Sequence, residues 1–270
     1  MTYVFTILGC GSSGGVPRPA LGWGACNPKN PKNRRRRTAL LIERHAAAGR
    51  VTRVLVDTSP DLREQLLDAD VPWLDGVLYT HAHADHCHGI DDLRALVLHK
   101  RRRIDIYCDA MTSELLRMRF GYCFATPPGS EYPPIVNEHR MSAGHPVTVN
   151  GEGGPVAAQP LLQVHGDITS LGFRFGPLAY SCDVSDLPAE TVSELAGVET
   201  WILDALRYTP HPSHLSLSEA LSWVARVKPK RAILTNLHAD LDYDTLRREL
   251  PPNVEPAFDG MQITAKHAAR

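Results

Sequence analysis

The densest group of residues that could perform chemistry is a histidine-rich segment, Thr80–Gly89, which follows an apolar run that predicts a strand. In an extended stretch alternate side chains share a face, so His81 and His83 can point at one cation. Asp85 and His86 come next and can face a second cation beside the first. Imidazole and carboxylate ligands without a thiolate suit Zn²⁺, Mn²⁺ or iron. Four histidines within eight positions, in a chain that holds 13, make a chance polar loop a poor explanation.

Two cations need more ligands than this segment contains. His165, Asp183 and His238 each stand just past an apolar run that predicts a strand, as His81 does. Each of the three alone would more often be a capping or surface residue, but together they occupy matching positions at strand ends, where rigid scaffolds present functional groups. The predicted metal ligands are therefore His81, His83, Asp85, His86, His165, Asp183 and His238.

The elements that must position these residues are strands followed by helices. Apolar runs predict strands at Tyr3–Leu8, Thr38–Glu43, Val51–Val56, Gly76–Tyr79, Ile104–Cys108, Thr169–Phe175, Leu178–Cys182, Thr200–Leu203 and Arg231–Thr235. Helical spacing predicts helices at Asp61–Ala69, Ile90–Leu98, Met111–Arg119, Leu217–Val227 and Asp244–Leu250. Neither a repeat nor a low-complexity linker divides the chain. We therefore expect an α/β fold in one layered domain that spans residues 1–270.

Residues 121–160 depart from these patterns. The segment carries seven prolines and several glycines, and it predicts an irregular insertion. Irregular segments of this length in compact domains are surface insertions or functional lids. Tyr122, Phe124 and Tyr132 could supply stacking surface to a lid over the site. The sequence leaves both interpretations open.

The composition is that of an ordinary folded protein. Of 270 residues, 43% are hydrophobic and 22% are charged, and the net charge is -1, which argues against disordered, collagen-like and coiled-coil classes. No run approaches the ~20 apolar residues of a membrane span, and the N-terminal residues lack the features of a signal peptide. Six cysteines, none in a C-x-x-C pair, are typical of a reduced compartment. We expect a cytoplasmic protein with no membrane partner.

A glycine-rich loop follows the first predicted strand. Residues Gly9–Gly14 match the G-x-G-x-x-G pattern of dinucleotide-binding folds. The residues that follow, Gly15–Pro19, cannot begin the helix that such a site requires, and no acidic residue stands about 20 positions on. The loop is better suited to bringing backbone N–H groups close to an anion. Ser12 and Ser13 are therefore candidate substrate contacts.

Two basic runs need an interpretation. The run Arg34–Arg37 is either a solvated surface or a phosphate contact beside the cleft, because arginine forks match phosphate oxygens, and Arg34 is the candidate contact. The run Lys100–Arg103 fits a helix C-terminus, where the helix dipole favours positive charge. Neither run predicts a stable nucleic-acid partner.

With these residues identified, the chain resembles the metallo-β-lactamase superfamily, whose H-x-H-x-D-H motif stands here at His81–His86. Within the superfamily it is most similar to the PhnP-like phosphoribosyl cyclic phosphodiesterases, and more distantly to tRNase Z. This narrower resemblance is carried by Phe5–Gly11, Gly14–Pro17 and the ending Phe258–Ile263. The resemblance implies a four-layer αββα sandwich with a pair of divalent metal ions, Zn²⁺ or Mn²⁺, in a cleft at the strand ends.

The resemblance also implies a role for each site residue. One metal would take His81, His83 and His165, and the other would take Asp85, His86 and His238, with Asp183 as the bridge. Asp57 matches the acid that orients a ligand histidine. His214 matches the histidine beside the leaving group, and Asp85 is counted as catalytic as well as a ligand. A homodimer is implied by the resemblance alone.

The chain departs from PhnP in the residues of a separate structural zinc site. The loop that would hold this zinc contains a single cysteine, Cys26, and the segment after His238 reads Ala239–Leu241 without a second histidine. We therefore expect no third, structural zinc.

The ligand charges favour a phosphodiester substrate. Two divalent ions, with Asp85, Asp183 and a bridging hydroxide, leave roughly one positive charge, which a phosphodiester monoanion neutralises. The predicted function is thus a binuclear-metal phosphodiesterase acting on a small cyclic sugar phosphate or nucleotide. The hydroxide held by the metals would attack phosphorus, and His214 would act as general acid.

Other functions use the same metals. They are a tRNA-processing nuclease of the tRNase Z kind, a thioesterase of the glyoxalase II kind, and a catalytically silent nucleotide-binding relative. A β-lactamase with a cysteine ligand is disfavoured, because Cys182 is adjacent to Asp183 and would face the opposite side of a strand.

Overall fold

The structure is a computed structural model that describes residues 2–266. Its strands are β1 (Thr2–Gly9), β2 (Ala39–His45), β3 (Val51–Val56), β4 (Gly76–Leu78), β5 (Ile104–Cys108), β6 (Val136–Arg140), β7 (Val147–Val149), β8 (Val156–His165), β9 (Ile168–Phe175), β10 (Leu178–Ser181), β11 (Thr200–Asp204), β12 (Arg231–Thr235), β13 (Val254–Pro256) and β14 (Met261–Lys266). Its α-helices are α1 (Leu62–Asp68), α2 (Ala84–Cys87), α3 (Leu93–Lys100), α4 (Ala110–Phe124), α5 (Ala189–Glu194), α6 (Leu217–Val227) and α7 (Tyr243–Glu249).

The strands form two seven-stranded sheets of mixed direction. The first has the order β14-β1-β2-β3-β4-β5-β6, and the second has the order β13-β12-β11-β10-β9-β8-β7. The sequence-consecutive pairs β1–β2–β3 and β7–β8–β9–β10 are antiparallel, whereas β3–β4–β5–β6 and β10–β11–β12–β13 are parallel. Parallel neighbours need a crossover, and α1, α3, α4, α5, α6 and α7 lie in these connections.

Alternation of apolar side chains along the strands produces the layers. In β2, Leu40 and Ile42 lie in the core between the sheets, whereas Leu41 lies in a second core under the helices that cover the first sheet. In β12, Ile233 enters the central core and Leu234 enters a third core with α6 and α7. Both faces of each sheet are therefore covered, and the expected four-layer αββα sandwich is confirmed.

Most predicted elements are found within a few residues of their predicted bounds. The predicted helix Ile90–Leu98 is an exception in detail, because a 3-10 turn at Ile90–Asp92 precedes α3. The basic run after it behaves as expected, since α3 ends at Lys100 and Arg101 adopts a left-handed φ of 52°. Among the described residues, the longest helices fall short of the length and apolar character that a membrane crossing demands.

Residues 121–160 are more regular than the prediction of an irregular insertion. The segment contains the end of α4, the strands β6 and β7, and the start of β8. The edge strand β6 was missed because only Val136 of its five residues is buried, so its sequence resembles that of a polar loop. Pro160 is tolerated in β8 because it lies beyond the residues that pair with β7. The side chains of Tyr122 and Tyr132 are exposed, and a lid stays a prediction.

Candidate metal centre

The strands of both sheets end at the same edge, and polar side chains follow them there. Asp57 follows β3, Asp183 comes two residues after β10, and Asn236 follows β12. All three have left-handed backbones, with φ of 64°, 52° and 62°. Such conformations cost about 1–3 kcal/mol in a residue other than glycine, and Asp and Asn tolerate them best. At the end of each of these three strands the chain turns abruptly, which brings the three side chains towards the same edge of the sandwich.

A first group of ligand atoms belongs to His81, His83, His165 and Asp183, and all of them lie within 4.8 Å of one another. His165 Nε2 lies 3.3 Å from His83 Nδ1. Asp183 Oδ2 lies 3.5 Å from His165 Nε2 and 3.7 Å from His81 Nε2. Three imidazoles and a carboxylate therefore converge on one point, as the ligand set inferred from the sequence requires.

A second group shares Asp183 with the first. His86 Nε2 lies 3.3 Å from Asp183 Oδ1 and 3.5 Å from Asp85 Oδ2. Ligand atoms of His86, Cys182 and Asp183 also lie within 4.8 Å of one another. Because the two oxygens of Asp183 face different groups of histidines, this carboxylate stands where a bridge between two cations would stand.

The buried nitrogens of these groups fit a cation. His81 Nε2 and His86 Nε2 are buried and lack a hydrogen-bond partner in the described part of the chain. The Nδ1 atoms of two ligand histidines are held by hydrogen bonds. His81 Nδ1 lies 2.9 Å from Thr80 Oγ1, and His165 Nδ1 lies 2.6 Å from the carbonyl oxygen of Ser213. A buried nitrogen without a partner is costly, and coordination of Zn²⁺ or a similar ion would use its lone pair.

Asp57 fixes the histidine of the second group. Its Oδ2 lies 2.7 Å from His86 Nδ1 and accepts a hydrogen bond of 2.8 Å from Thr80 Oγ1, while its Oδ1 accepts from Thr80 N. Burial raises the pKa of Asp57, and the hydrogen bonds from His86 and Thr80 only partly oppose this. These contacts leave His86 Nε2 directed at the centre, which is the geometry that the role inferred for Asp57 requires.

The protonation of the group follows from burial and from the shared carboxylate. Burial lowers the pKa of His81 well below its usual value, and it also lowers the pKa of His165. The pKa of His86 is raised well above its usual value, because Asp183, Asp85 and Asp57 outweigh the effect of burial. In Asp183, attraction to His86 outweighs burial and holds the pKa well below its usual range.

His214 stands beside this centre with a buried acid behind it. Its Nδ1 lies 2.8 Å from Asp204 Oδ2, and its Nε2 lies 3.9 Å from Asp183 Oδ2. Burial lowers the pKa of His214, but the hydrogen bond and charge of Asp204 outweigh it and raise the pKa to about 9. His214 is therefore protonated at neutral pH in this arrangement.

His238 lies apart from both groups of ligand atoms, although it was predicted as a ligand. Arg18 Nη1 donates to His238 Nε2, and His238 Nδ1 lies 3.2 Å from Asp240 Oδ1. His238 nevertheless faces the same cavity as Asp85 and His214. Its role as a ligand stays a prediction.

The cavity at the centre has a volume of about 290 Å³ and is polar. Ser12 Oγ, in the glycine-rich loop, is buried without a hydrogen-bond partner among the described residues. Arg34 is exposed and is not among the lining residues. The lining residues are Ser12, Ser13, Arg18, Asp85, Leu206, Arg207, His211, His214 and His238.

Neither interpretation of the Arg34–Arg37 run, a solvated surface or a phosphate contact, applies to Arg35, Arg36 and Arg37. Arg35 is only 2% exposed and donates to the carbonyl oxygens of His238 and Leu241. Arg36 pairs with Asp68 and Asp259, and Arg37 pairs with Asp61. These three arginines therefore bind parts of the fold rather than solvent or substrate.

The prediction that Cys182 faces away from the site is wrong. Its Sγ lies 3.1 Å from Asp183 Oδ1. The alternation rule fails because β10 ends at Ser181, and the left-handed backbone of Asp183 breaks the extended geometry.

Several residues at the site were not predicted, among them Asp204, Arg18, Arg207 and His211. Asp204 ends β11, and its position after the apolar run Thr200–Leu203 is the same signal that identified His165 and Asp183. Arg18 lies in the proline-rich stretch after the glycine loop and had no motif of its own. Arg207 and His211 lie in the loop between β11 and α6, and only the folded structure brings them to the cavity.

Comparisons with known proteins agree with this architecture. Residues 52–236 match the family model of the β-lactamase superfamily domain. A crystal structure described as a new diphosphatase from the PhnP family is 32% identical, with 98% of each chain covered and a TM-score of 0.87. Human tRNase Z, short form, shares the fold at 18% identity and a TM-score of 0.61, with 96% of this chain and 98% of that chain covered.

A curated relative is also similar along nearly the whole chain. An octanoyltransferase of Porphyromonas gingivalis is 32% identical over 261 residues, which are 95% of this chain. The match covers 50% of that protein, so the chain spans about half of its length. Because the family model covers more than half of the chain and the PhnP-family structure matches along its full length, the chain belongs to the metallo-β-lactamase superfamily and, within it, to the PhnP family.

Proposed function

We propose that this protein is a metal-dependent hydrolase that cleaves a phosphodiester bond in a small cyclic sugar phosphate or nucleotide. The observation that carries the proposal is the convergence of His81, His83, His165 and Asp183 beside His214, whose ring is held by a buried acid, Asp204. The similarity to a structure described as a PhnP-family diphosphatase supports phosphorus as the reacting centre.

We propose that two divalent ions, Zn²⁺ or Mn²⁺, bind here and that no structural zinc accompanies them. His81, His83 and His165 would hold one, and His86 with Asp85 would hold the other, with Asp183 between them. His238 faces the same cavity and is proposed as a further ligand. When bound, such a pair activates water and stabilises charge on phosphoryl oxygens.

His214 supplies the proton for the departing oxygen. Asp204 fixes its orientation through Nδ1, and the hydrogen bond and charge of this acid raise the pKa of His214, which favours the protonated imidazole. Nε2 is then the atom that donates. An alkoxide is a poor leaving group, so a positioned acid contributes most with an alkyl ester.

The wall of the cavity opposite the ligands suits an anionic substrate. Arg18 and Arg207 bring positive charge to the lining of the cavity, and the hydroxyl of Ser12, which has no partner among the described residues, can donate to a phosphoryl oxygen. Ser13 lines the same cavity. We propose these residues as substrate contacts, and Arg34 only as an outer one.

Other functions fit these residues less well. The name octanoyltransferase describes a protein about twice as long as the matched region, so it does not assign acyl transfer to this part. A nuclease of the tRNase Z kind would need a long arm to grip tRNA, and a thioesterase would not need a protonated His214. A silent relative would have an impaired cluster.

We also propose a cytoplasmic enzyme that acts on a small substrate and forms a homodimer. The six cysteines are buried and none of them is in a disulfide, as a reducing compartment would leave them.

Hydrolysis of bis(p-nitrophenyl) phosphate with added Zn²⁺ or Mn²⁺ tests the proposal. We expect turnover by the parent chain and its loss in His83→Ala, with a folded control at an exposed position away from the cavity, Lys230→Ala, unchanged. An inactive parent with both metals bound would contradict the proposal and favour the silent relative.

A further inference from the structure

We propose that Cys182 is a thiolate ligand at the second cation position, together with His86 and Asp183, and that it makes this position selective for thiophilic ions, Zn²⁺ and Cd²⁺, over Mn²⁺. The inference rests on the metal centre of the proposed function. It does not depend on which bond the protein cleaves.

The geometry of the three ligand atoms supports this set. Cys182 Sγ lies 3.1 Å and His86 Nε2 lies 3.3 Å from the same carboxylate oxygen, Asp183 Oδ1. Zn–S and Zn–N bonds of about 2.3 and 2.0 Å in a tetrahedral site place neighbouring ligand atoms roughly 3.5 Å apart. The sulfur and nitrogen atoms also lie within 4.8 Å of each other, so all three ligand atoms are within reach of one cation.

A second observation, the unpartnered nitrogen of His86, points to a ligand at this position. His86 is fully buried, and its Nε2 finds no hydrogen bond among the described residues. Its other nitrogen is committed to Asp57, so the ring cannot turn to satisfy Nε2 elsewhere without losing that contact. A cation between His86 and Cys182 would use this nitrogen.

The position of Cys182 distinguishes it from the other five cysteines. It lies at the end of the central core, where the apolar side chains of both sheets meet the ligand cluster. Cys108, by comparison, is equally buried but lies in the core between the first sheet and its helices. Only Cys182 belongs to a group of candidate ligands in the described part of the chain.

The chemical consequence is metal selectivity. Thiolate is a soft ligand that favours Zn²⁺ and Cd²⁺, whereas Mn²⁺ prefers oxygen. The thiol releases its proton to solvent when the cation binds, and the sulfur donates an electron pair to the ion. A centre with this ligand would take up Zn²⁺ in preference to Mn²⁺ at its second position.

Titration of the full chain with Cd²⁺, after chelator treatment and dialysis, tests the inference. A cadmium–thiolate bond produces a charge-transfer absorption in the ultraviolet. We expect this band in the parent chain and in Cys108→Ser, and its loss in Cys182→Ser. A band that persists in Cys182→Ser, or its absence from the parent chain, would overturn the inference.

Two further measurements keep the result interpretable. Cadmium NMR of the parent chain reports sulfur ligation directly, so the inference stays testable if Cys182→Ser does not fold. In an equimolar mixture of Zn²⁺ and Mn²⁺, we expect the ratio of bound zinc to bound manganese to be at least ~10-fold lower for Cys182→Ser than for the parent chain. Loss of a residue that only orients a metal ligand already lowers metal affinity by about that factor. A cadmium–thiolate band in a chain that hydrolyses no diester would leave this inference standing and contradict the proposed function alone.

Discussion

Asp204 lies directly behind His214, with its Oδ2 2.8 Å from His214 Nδ1 and with no exposure to solvent. The pair resembles other acid–imidazole arrangements in that the carboxylate fixes the ring and favours its charged form. His214 Nε2 is left to face the ligand cluster, 3.9 Å from Asp183.

Replacing His214 by Ala should therefore separate substrates by their leaving group. We expect kcat on an alkyl diester to fall about 10²–10⁴-fold, because a general acid contributes that much, and to fall little on an activated aryl diester. Steady-state kinetics on both substrates measures the difference. Equal losses on the two substrates would contradict the role of His214 as an acid.

Asp204→Asn should show the same pattern in a weaker form. The amide removes the negative charge that raises the pKa of His214, so the alkyl diester should again lose more activity than the aryl diester. A variant that affects both substrates equally would indicate a structural role for Asp204.

Asp57→Asn should weaken metal binding without unfolding the chain. Asn tolerates the left-handed φ of 64°, but it has one accepting oxygen where the carboxylate has two, so it cannot accept from His86, Thr80 Oγ1 and Thr80 N together. Loss of a partner that orients a ligand typically costs 10–100-fold in metal affinity, and we expect a change of about that size. Calorimetric titration with Zn²⁺ measures it, and unchanged affinity would contradict the inferred role of Asp57.

Arg35→Met should destabilise the fold, although Arg35 belongs to a run that reads as surface charge. The substitution removes the guanidinium donor from two buried carbonyl oxygens: that of His238 keeps a hydrogen bond from Leu241 N, whereas that of Leu241 keeps only the weak thiol donor of Cys26. We expect the free energy of unfolding to fall by about 1–3 kcal/mol. Arg34→Ala, at an exposed position next to it, should change it by no more than about 0.5 kcal/mol. Urea denaturation compares the two variants, and similar losses in the free energy of unfolding would contradict a structural role that distinguishes Arg35 from Arg34.

Asp242 should make stability depend on pH. Burial would raise its pKa, but hydrogen bonds from Asn27, Thr245 and Asn33 outweigh burial and lower the pKa from 3.8 to about 2. Because the folded pKa is the lower one, this stabilisation is present above pH 4 and is lost as the pH falls towards 2.

The comparison of parent and Asp242→Asn chains measures this contribution. The difference between their free energies of unfolding should be largest near neutral pH and should shrink between pH 4 and pH 2. A difference that stays constant over this range would contradict the assignment.

The sequence predicts the α/β class and candidate ligands at strand ends for one physical reason, whereas the four-layer arrangement and the assignment of ligands to two cations rest on the resemblance to the superfamily. Residues such as His165 and Asp183 follow buried strands, and strand ends meet at one edge of a sandwich, so apolar runs alone indicate that these side chains converge. The same reasoning could have identified Asp204, which also ends a buried strand.

What the sequence misses depends on contacts between distant segments. The edge strand β6 is polar because only one of its residues is buried, and Arg35 is buried by the loop around Leu241 rather than by its neighbours in the chain. Cys182 was misplaced because strand alternation stops where β10 ends, one residue before it. His238 contacts Arg18, whose position depends on the fold of the glycine-rich loop.

The metal content of the chain tests the central claim most directly. After dialysis against Zn²⁺ and removal of unbound ion, elemental analysis should find about two equivalents per chain, as a binuclear centre requires. The variant that combines His83→Ala and His86→Ala should retain almost none. A parent chain without bound metal, or a double variant that binds as much metal as the parent, would contradict the account.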